Sequence, residues 1–211
     1  MKNLLLNPDE FFRRKSKEKS SLKIPSSVVM VKGLLAVASS MLIMWPAMKS
    51  LPADLTPFMI FASVVGIVGG LMGAFLIWSI TAGMFYLISC LYDSEGPYKR
   101  TVEFVGYGYV PSIFSAFVAL FVLHSIMPSM DFSIQDPNLM QQNVEQIMAN
   151  SSFLRFSQIV GILCTLWSAN IWIFALSHAR NISYKKAVPI VCIPVGVYLL
   201  YSIYNLMSAL T

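Results

Sequence analysis

Acidic side chains are scarce, 10 Asp and Glu in 211 residues, and none lies inside any of the chain's long apolar stretches. An ion-coupled transporter works through intramembrane carboxylates, and a cation filter through rings of acids or carbonyls, so both have little to build on here. The three cysteines, Cys90, Cys164 and Cys192, are dispersed and form no CxxC pair, which gives no disulfide framework or zinc site. Histidine occurs twice, at His124 and His178, with no HExxH, and no GxSxG elbow is present. Metalloprotease and serine-hydrolase chemistry therefore lack their parts, and the chain reads as a non-enzyme without cofactor, catalytic residue or metal ligand. Charged residues make up 12%, about half the share of an ordinary globular domain.

What fills the chain instead is hydrophobic, 56% of all residues, gathered in five runs at 28–48, 57–91, 104–127, 153–179 and 187–210. A helix needs about 20 residues to cross a hydrocarbon core of about 30 Å, and each run is long enough. In lipid the backbone must satisfy its own hydrogen bonds, so each run has to be helical. The fold class expected is an all-α, polytopic integral membrane protein: a five-transmembrane-helix bundle with a long Gly-rich second helix and a short outer amphipathic helix. Its parts are a basic amphipathic segment at 1–27 and a membrane domain at 28–210.

Charge orients the bundle. With the amino end in the cytoplasm, that side holds Lys2, Arg13, Arg14, Lys15, Lys17, Lys19, Lys23, Lys99, Arg100, Arg180, Lys185 and Lys186. The other side keeps Lys49, while Lys32 and Arg155 lie near helix ends. Twelve against one is a strong positive-inside bias and puts the carboxyl end outside. The formal net charge of +5 is then topogenic, facing anionic lipid rather than nucleic acid.

The second run is the place where the count of spans is most exposed to error. Its 35 residues would make about 52 Å of helix, and Gly66, Gly69, Gly70 and Gly73 sit near its middle. A hairpin there would carry the downstream basic loops outside, against the charge rule, so one long helix is expected, tilted, kinked or projecting on the outer side. Gly66/Gly70 and Gly69/Gly73 are overlapping GxxxG pairs, a packing seam within the bundle or between protomers of a homo-oligomer.

The amino-terminal segment carries its own helix signals: Asn7 as cap, Pro8 at the first position, Asp9 and Glu10 in the first turn. Phe11 and Phe12 followed by five basic residues suggest a helix lying in the membrane interface. In the loop 128–152, Met140, Val144, Ile147 and Met148 recur at helical spacing after Asp136-Pro137, which predicts a short amphipathic helix on the outer surface. Polar residues also collect toward the outer ends of spans three to five: His124, Arg155, Gln158, Tyr198, Tyr201 and Asn205. They are either interfacial or the lining of an outward cleft, which would suit a transporter, channel or lipid-binding carrier. Asn170, beside Trp167 in mid-span, suggests an interhelical hydrogen bond.

The loop Tyr92-Asp93-Ser94-Glu95-Gly96-Pro97-Tyr98-Lys99-Arg100, followed by Gly106-Tyr107-Gly108-Tyr109-Val110-Pro111, resembles the Yip domain family, named for proteins that interact with Ypt/Rab GTPases. The opening Asn7-Pro8-Asp9-Glu10-Phe11-Phe12 is similar to short prokaryotic members, as is Lys185-Lys186-Ala187 at the last helix. The resemblance implies a five-span adaptor or membrane organiser with a cytoplasmic amino end. Its motif residues would be Asp93, Gly96, Pro97, Tyr98, Lys99, Arg100, Gly106, Tyr107, Tyr109, Pro111, Lys185 and Lys186. Membrane lipids and a protein at the cytoplasmic face are the partners it implies. The long amino-terminal region and the full Asp-Leu-Tyr-Gly-Pro loop of eukaryotic relatives are absent, which separates this chain from their GTPase partners. An internal echo, Tyr98-Lys99-Arg100-Thr101-Val102 against Tyr184-Lys185-Lys186-Ala187-Val188, suggests two hairpins of like orientation.

Overall fold

A computed structural model describes residues 2–49, 56–129 and 151–208, together with Leu139, Gln142, Gln146 and Ile147. All regular structure among these is helical: α1 (Lys2–Leu6), α2 (Pro8–Lys15), α3 (Lys23–Lys49), α4 (Thr56–Ser89), α5 (Tyr98–Tyr107), α6 (Val110–Ile126), α7 (Ser152–Arg180) and α8 (Tyr184–Ser208). Five helices are long and apolar enough to cross a membrane: Lys23–Met44, Pro57–Tyr92, Val110–Ser129, Ser152–Arg180 and Tyr184–Met207. The protein is an all-helical, multi-pass membrane protein. The amphipathic helix expected over 136–148 lies outside the described residues but for Leu139, Gln142, Gln146 and Ile147.

The second apolar run is one helix, as its charge context requires. α4 continues for 34 residues through all four glycines. The third run behaves differently. It is expected as one span from 104 with a kink invited by Pro111, and the chain turns at Gly108 and Tyr109, between α5 and α6. Pro111 explains the break. It has no amide hydrogen to donate to the carbonyl of Tyr107 four residues earlier, and its ring would strike that carbonyl. The last turn of α5 tightens instead, with Gly108 donating to Val105 at 3.0 Å and Tyr109 to Gly106 at 3.3 Å.

Burial is concentrated at the end of the bundle that carries the loops 93–97 and 181–183, here termed the basic end. Trp78, Ala82 and Phe85 of α4, Val105 of α5, Leu176 of α7, and Ala187, Ile190 and Val191 of α8 form one apolar core there. Leu4 and Phe12 of the amino-terminal helices join Phe104, Tyr107, Ile171 and Ala175 in a second. Toward the opposite end the helices expose large apolar side chains such as Phe58, Phe61, Phe121, Leu200 and Tyr204, the surface expected against lipid tails.

Within the chain, the contact between α3 and α4 draws on one of the four glycines of the expected seam. A methyl group added at Gly66, Gly69 or Gly73 would meet nothing within 4 Å, and of the four only Gly70 faces a neighbour, Val37 at 3.1 Å. Gly33 of α3 makes an equally close approach to α4 from the other side, where an added Cβ would come 3.1 Å from that of Ala74 and 3.3 Å from Leu71. Gly33→Leu should therefore destabilise the protein in micelles by about 1–3 kcal/mol through overpacking. Gly69→Leu should be tolerated by the isolated chain. Thermal unfolding of the two variants side by side tests this, and the reverse order would return the intrachain seam to the GxxxG pairs.

Candidate functional site

The motif residues converge on one structure at the basic end, and its centre is a short helix held by two indoles. Trp78 of α4 donates its Nε1–H to the carbonyl of Val102 at 2.9 Å, and Trp172 of α7 donates to that of Val105 at 2.8 Å. Both carbonyls belong to α5, so one tryptophan on each side clasps it. The glycines of Gly106-Tyr107-Gly108-Tyr109 make room for the clasp. A Cβ on Gly106 would sit 3.0 Å from the Trp78 indole nitrogen, and one on Gly108 would run into the Trp172 indole. The tyrosines of the same motif reach in different directions. Tyr107 stacks edge-on to Phe11 of α2, with ring centroids 5.3 Å apart. Tyr109 packs on Trp172 at 5.3 Å and bonds through its hydroxyl to Thr81 at 2.8 Å. The motif is thus a joint that ties α2, α4, α5 and α7 together.

The loop before α5 is fastened by Arg180, the last residue of α7. Its side chain is buried, with 3% of its surface exposed, and its bonds are made to neutral groups. Nε donates to Ser89 Oγ at 2.9 Å, Nη2 to Ser94 Oγ at 2.7 Å and to the Ser94 carbonyl at 3.2 Å, and Nη1 to the Gly96 carbonyl. The guanidinium lies over the Tyr86 ring, 4.3 Å from its centroid. Glu95 returns a bond, its amide donating to the Arg180 carbonyl at 3.0 Å. A guanidinium carries five N–H groups in a fixed fork, which suits it to gather several acceptors of a turning chain. Gly96 itself has φ +128°, and a Cβ there would collide with the Ala179 carbonyl. Asp93 and Asn181 take left-handed conformations, φ 49° and 51°, at the ends of their helices, a setting these two residue types accept with least penalty.

Arg100 joins this loop to the amino-terminal segment. It pairs with the fully buried Glu103 at 3.0 Å and donates to the backbone carbonyls of Lys15, Ser16 and Glu18. Beside it Lys15 and Glu18 meet at 2.6 Å. Their mutual hydrogen bond holds the Lys15 ammonium above, and the Glu18 carboxyl below, its ordinary pKa. At the other edge of α2, Asp9 Oδ1 lies 2.8 Å from His178 Nε2. The aromatic pair expected in the membrane interface is therefore seated in protein: Phe12 is fully buried, 4.8 Å ring to ring from Phe104. The basic side chains of the segment, Arg13, Arg14, Lys17 and Lys19, are left exposed. The cause is composition: Leu4 and Phe12 meet a complementary apolar surface on α5 and α7.

Among the described residues the outer polar side chains lie in different settings. His124 borders an apolar cavity of about 690 Å³ among α3, α4 and α6 with Val37, Met41 and Gly66. Gln158 and Tyr201 are exposed, and Asn205 donates within its own helix to the Tyr201 carbonyl at 2.8 Å. Arg155 is partly buried in the first turn of α7. Trp167 does reach across helices, its indole 3.4 Å from the Leu5 carbonyl, but Asn170 is exposed. Of the expected motif residues, Asp93, Pro97, Tyr98, Lys99, Lys185 and Lys186 lie exposed around the joint, and Lys186 Nζ reaches the Tyr92 carbonyl at 3.4 Å. Trp78, Trp172 and Arg180, which hold the joint, carry no signal at the level of motif.

Among the described residues no group of three or more His, Cys, Asp or Glu is arranged to hold a metal ion. The Yip1 domain description matches residues 2–205, nearly the whole chain. The chain belongs to the Yip1 domain family. An uncharacterized protein of Methanocaldococcus jannaschii is 31% identical over 116 residues, 55% of this chain and 82% of that protein. No solved structure matches the chain. The Yip1 match runs from α1 to near the end of α8, so the docked amino-terminal helices fall within the shared domain.

Proposed function

We propose that this non-enzymatic, multi-pass Yip1-domain protein is a membrane adaptor or organiser whose basic end faces the cytoplasm and contacts anionic lipid or a protein partner there. The observation that carries the reading is a rigid joint ringed by exposed cations: Arg13, Arg14, Lys17, Lys19, Lys23, Lys99, Lys185 and Lys186. Acidic side chains share the rim: Asp9 and Glu18 are engaged by His178 and Lys15, and Glu10, Asp93 and Glu95 are exposed among the more numerous cations. Each surface cation near an anionic leaflet contributes about 1 kcal/mol of attraction that salt screens. The long basic segment is fixed rather than free, which presents its charge as a shaped surface at little ordering cost. The GTPase link of eukaryotic relatives is not part of the proposal.

The reading has two tests. Cysteines placed singly at Lys19 and Ser183 should react with an impermeant reagent only from the cytoplasmic side, and one at Gln142 only from outside. Labelling of Ser183 from outside would invert the topology and end the proposal. Neutralising Lys99, Lys185 and Lys186 to Gln should lower the anionic phospholipid retained on protein released from nanodiscs, and salt should affect the parent protein far more than the variant. Equal retention in both would remove lipid from the proposal and leave a protein partner, sought by crosslinking at Lys99 in native membrane. No crosslinked partner at that position would then dispose of the adaptor reading.

A further inference from the structure

A second polar feature lies within the bundle, apart from the exposed rim. A cavity of about 570 Å³ opens among α3, α4, α6, α7 and α8, a size usual for ligand pockets, which run at roughly 300–1,000 Å³. Its lining is mostly apolar and contains no Asp or Glu, yet it includes Lys32. Lys32 lies nine residues into α3, roughly 13 Å along the helix from Lys23. Its ammonium sits 4.3 Å from the centre of the Tyr109 ring. Among the described residues it has no carboxylate or carbonyl partner. A cation at that depth without a counter-charge is costly, and a ring face replaces only part of its hydration.

The same cavity is bordered by Ser168, which is 2% exposed and whose hydroxyl has no hydrogen-bond partner. Ser168 is one helical turn from Trp172, Trp172 packs on Tyr109, and Lys32 covers Tyr109. The unpartnered hydroxyl and the uncompensated ammonium therefore open on one space. Ser112 and Ser115 also line it, but their protons are spent on the carbonyls of Tyr109 and Ser112. The free polar capacity is the Lys32 cation with the hydroxyls of Ser168, Ser157 and Tyr198, of which Ser168 is the fully buried one, and no acid is there to repel a negative group.

We infer that the cavity binds the anionic head of a single-chain amphiphile, a carboxylate or a phosphate monoester, with Lys32 and Ser168 on the head and the chain along Phe85, Ala116 and Val195. Laurate and dodecyl phosphate supply the two head groups, and dodecanol and dodecyltrimethylammonium supply the same chain with a neutral or a positive head. Binding is measured by native mass spectrometry and thermal unfolding of the full-length protein in uncharged maltoside micelles. The two anionic probes should bind one per chain and raise the unfolding temperature, and the tighter of them identifies the head group. Lys32→Met should weaken them by about tenfold or more, the value of a lost charge-assisted contact, and Ser168→Ala by a smaller factor. Ala116→Phe, which fills the chain's path but leaves Lys32 and Ser168 in place, should abolish binding even if Lys32→Met fails to fold. The inference is overturned if dodecanol binds as tightly as laurate, if Lys32→Met or Ala116→Phe leaves laurate affinity unchanged, or if inorganic phosphate alone binds as tightly as dodecyl phosphate.

Discussion

Arg180→Met should cost the protein about 3 kcal/mol or more and sharply reduce folded yield. The methionine fills a similar volume, so the loss is one of hydrogen bonds rather than of packing. Ser89, Ser94 and the Gly96 carbonyl would each lose the donor that now reaches them. A buried acceptor left without a donor costs about 1–3 kcal/mol, which applies in full to Ser89, while Ser94 is partly buried and the Gly96 carbonyl lies at an exposed turn that loses its tether to α7. Arg180→Lys separates charge from geometry. It keeps the cation over the Tyr86 ring but cannot fork to both sides of the loop, so it should recover only part of the loss. Thermal unfolding in micelles and the rate of proteolysis in the 90–97 loop measure both variants. A melting temperature for Arg180→Met within a degree or two of the parent protein would show that the loop holds itself.

Gly96→Ala should be the next most damaging change, at about 2 kcal/mol or more, because two independent costs coincide. The φ of +128° lies where side-chain-bearing residues are strained, by about 1–3 kcal/mol. The new methyl group would also meet the Ala179 carbonyl, a backbone atom at the end of α7 that cannot rotate away. Gly161→Ala provides the comparison. Its added Cβ meets nothing within 4 Å in the middle of α7, and alanine's higher helix propensity should leave stability equal or up to about 1 kcal/mol better. If the two substitutions behaved alike in thermal unfolding, the turn at Gly96 would be adaptable and its place in the joint unnecessary.

The membrane spans were legible because their cause is local. Twenty apolar residues in lipid have no alternative to a helix, and α4 runs unbroken through Gly66, Gly69, Gly70 and Gly73 because no polar turn residues accompany them. Features that depend on which face meets which were not legible. Phe11 and Phe12 beside a basic run look the same in sequence whether lipid or protein receives them, and the groove on α5 and α7 that takes Phe12 exists only after folding. A proline in a span invites a kink, but the effect of Pro111 falls on Tyr107 four residues earlier, which moves the break to Gly108. The GxxxG pairs specify small surfaces without specifying a neighbour: Gly70 alone of the four meets α3, and Gly33, outside any such pair, makes an equally close approach. Arg180 counted as one more topogenic charge, since nothing in one dimension tells a solvated arginine from one that closes a loop. His124 and Tyr201 are both polar and near helix ends, yet that similarity of position carries no information about shared space.

The docking of the amino-terminal helices has a consequence for biogenesis. Leu4 and Phe12 leave the ribosome early, but the surface that seats them is built from Phe104, Tyr107, Ile171 and Ala175. For most of translation these helices have nowhere to bind, and their apolar faces must be sheltered by lipid or a chaperone. Their seating is then the closing event of assembly and reports that α5 and α7 have arrived in register. Nascent chains arrested before Ile171 should show the segment open to protease after Arg13 and Arg14, and chains released at full length should protect it. Protection already present in the arrested chains would place the seating earlier.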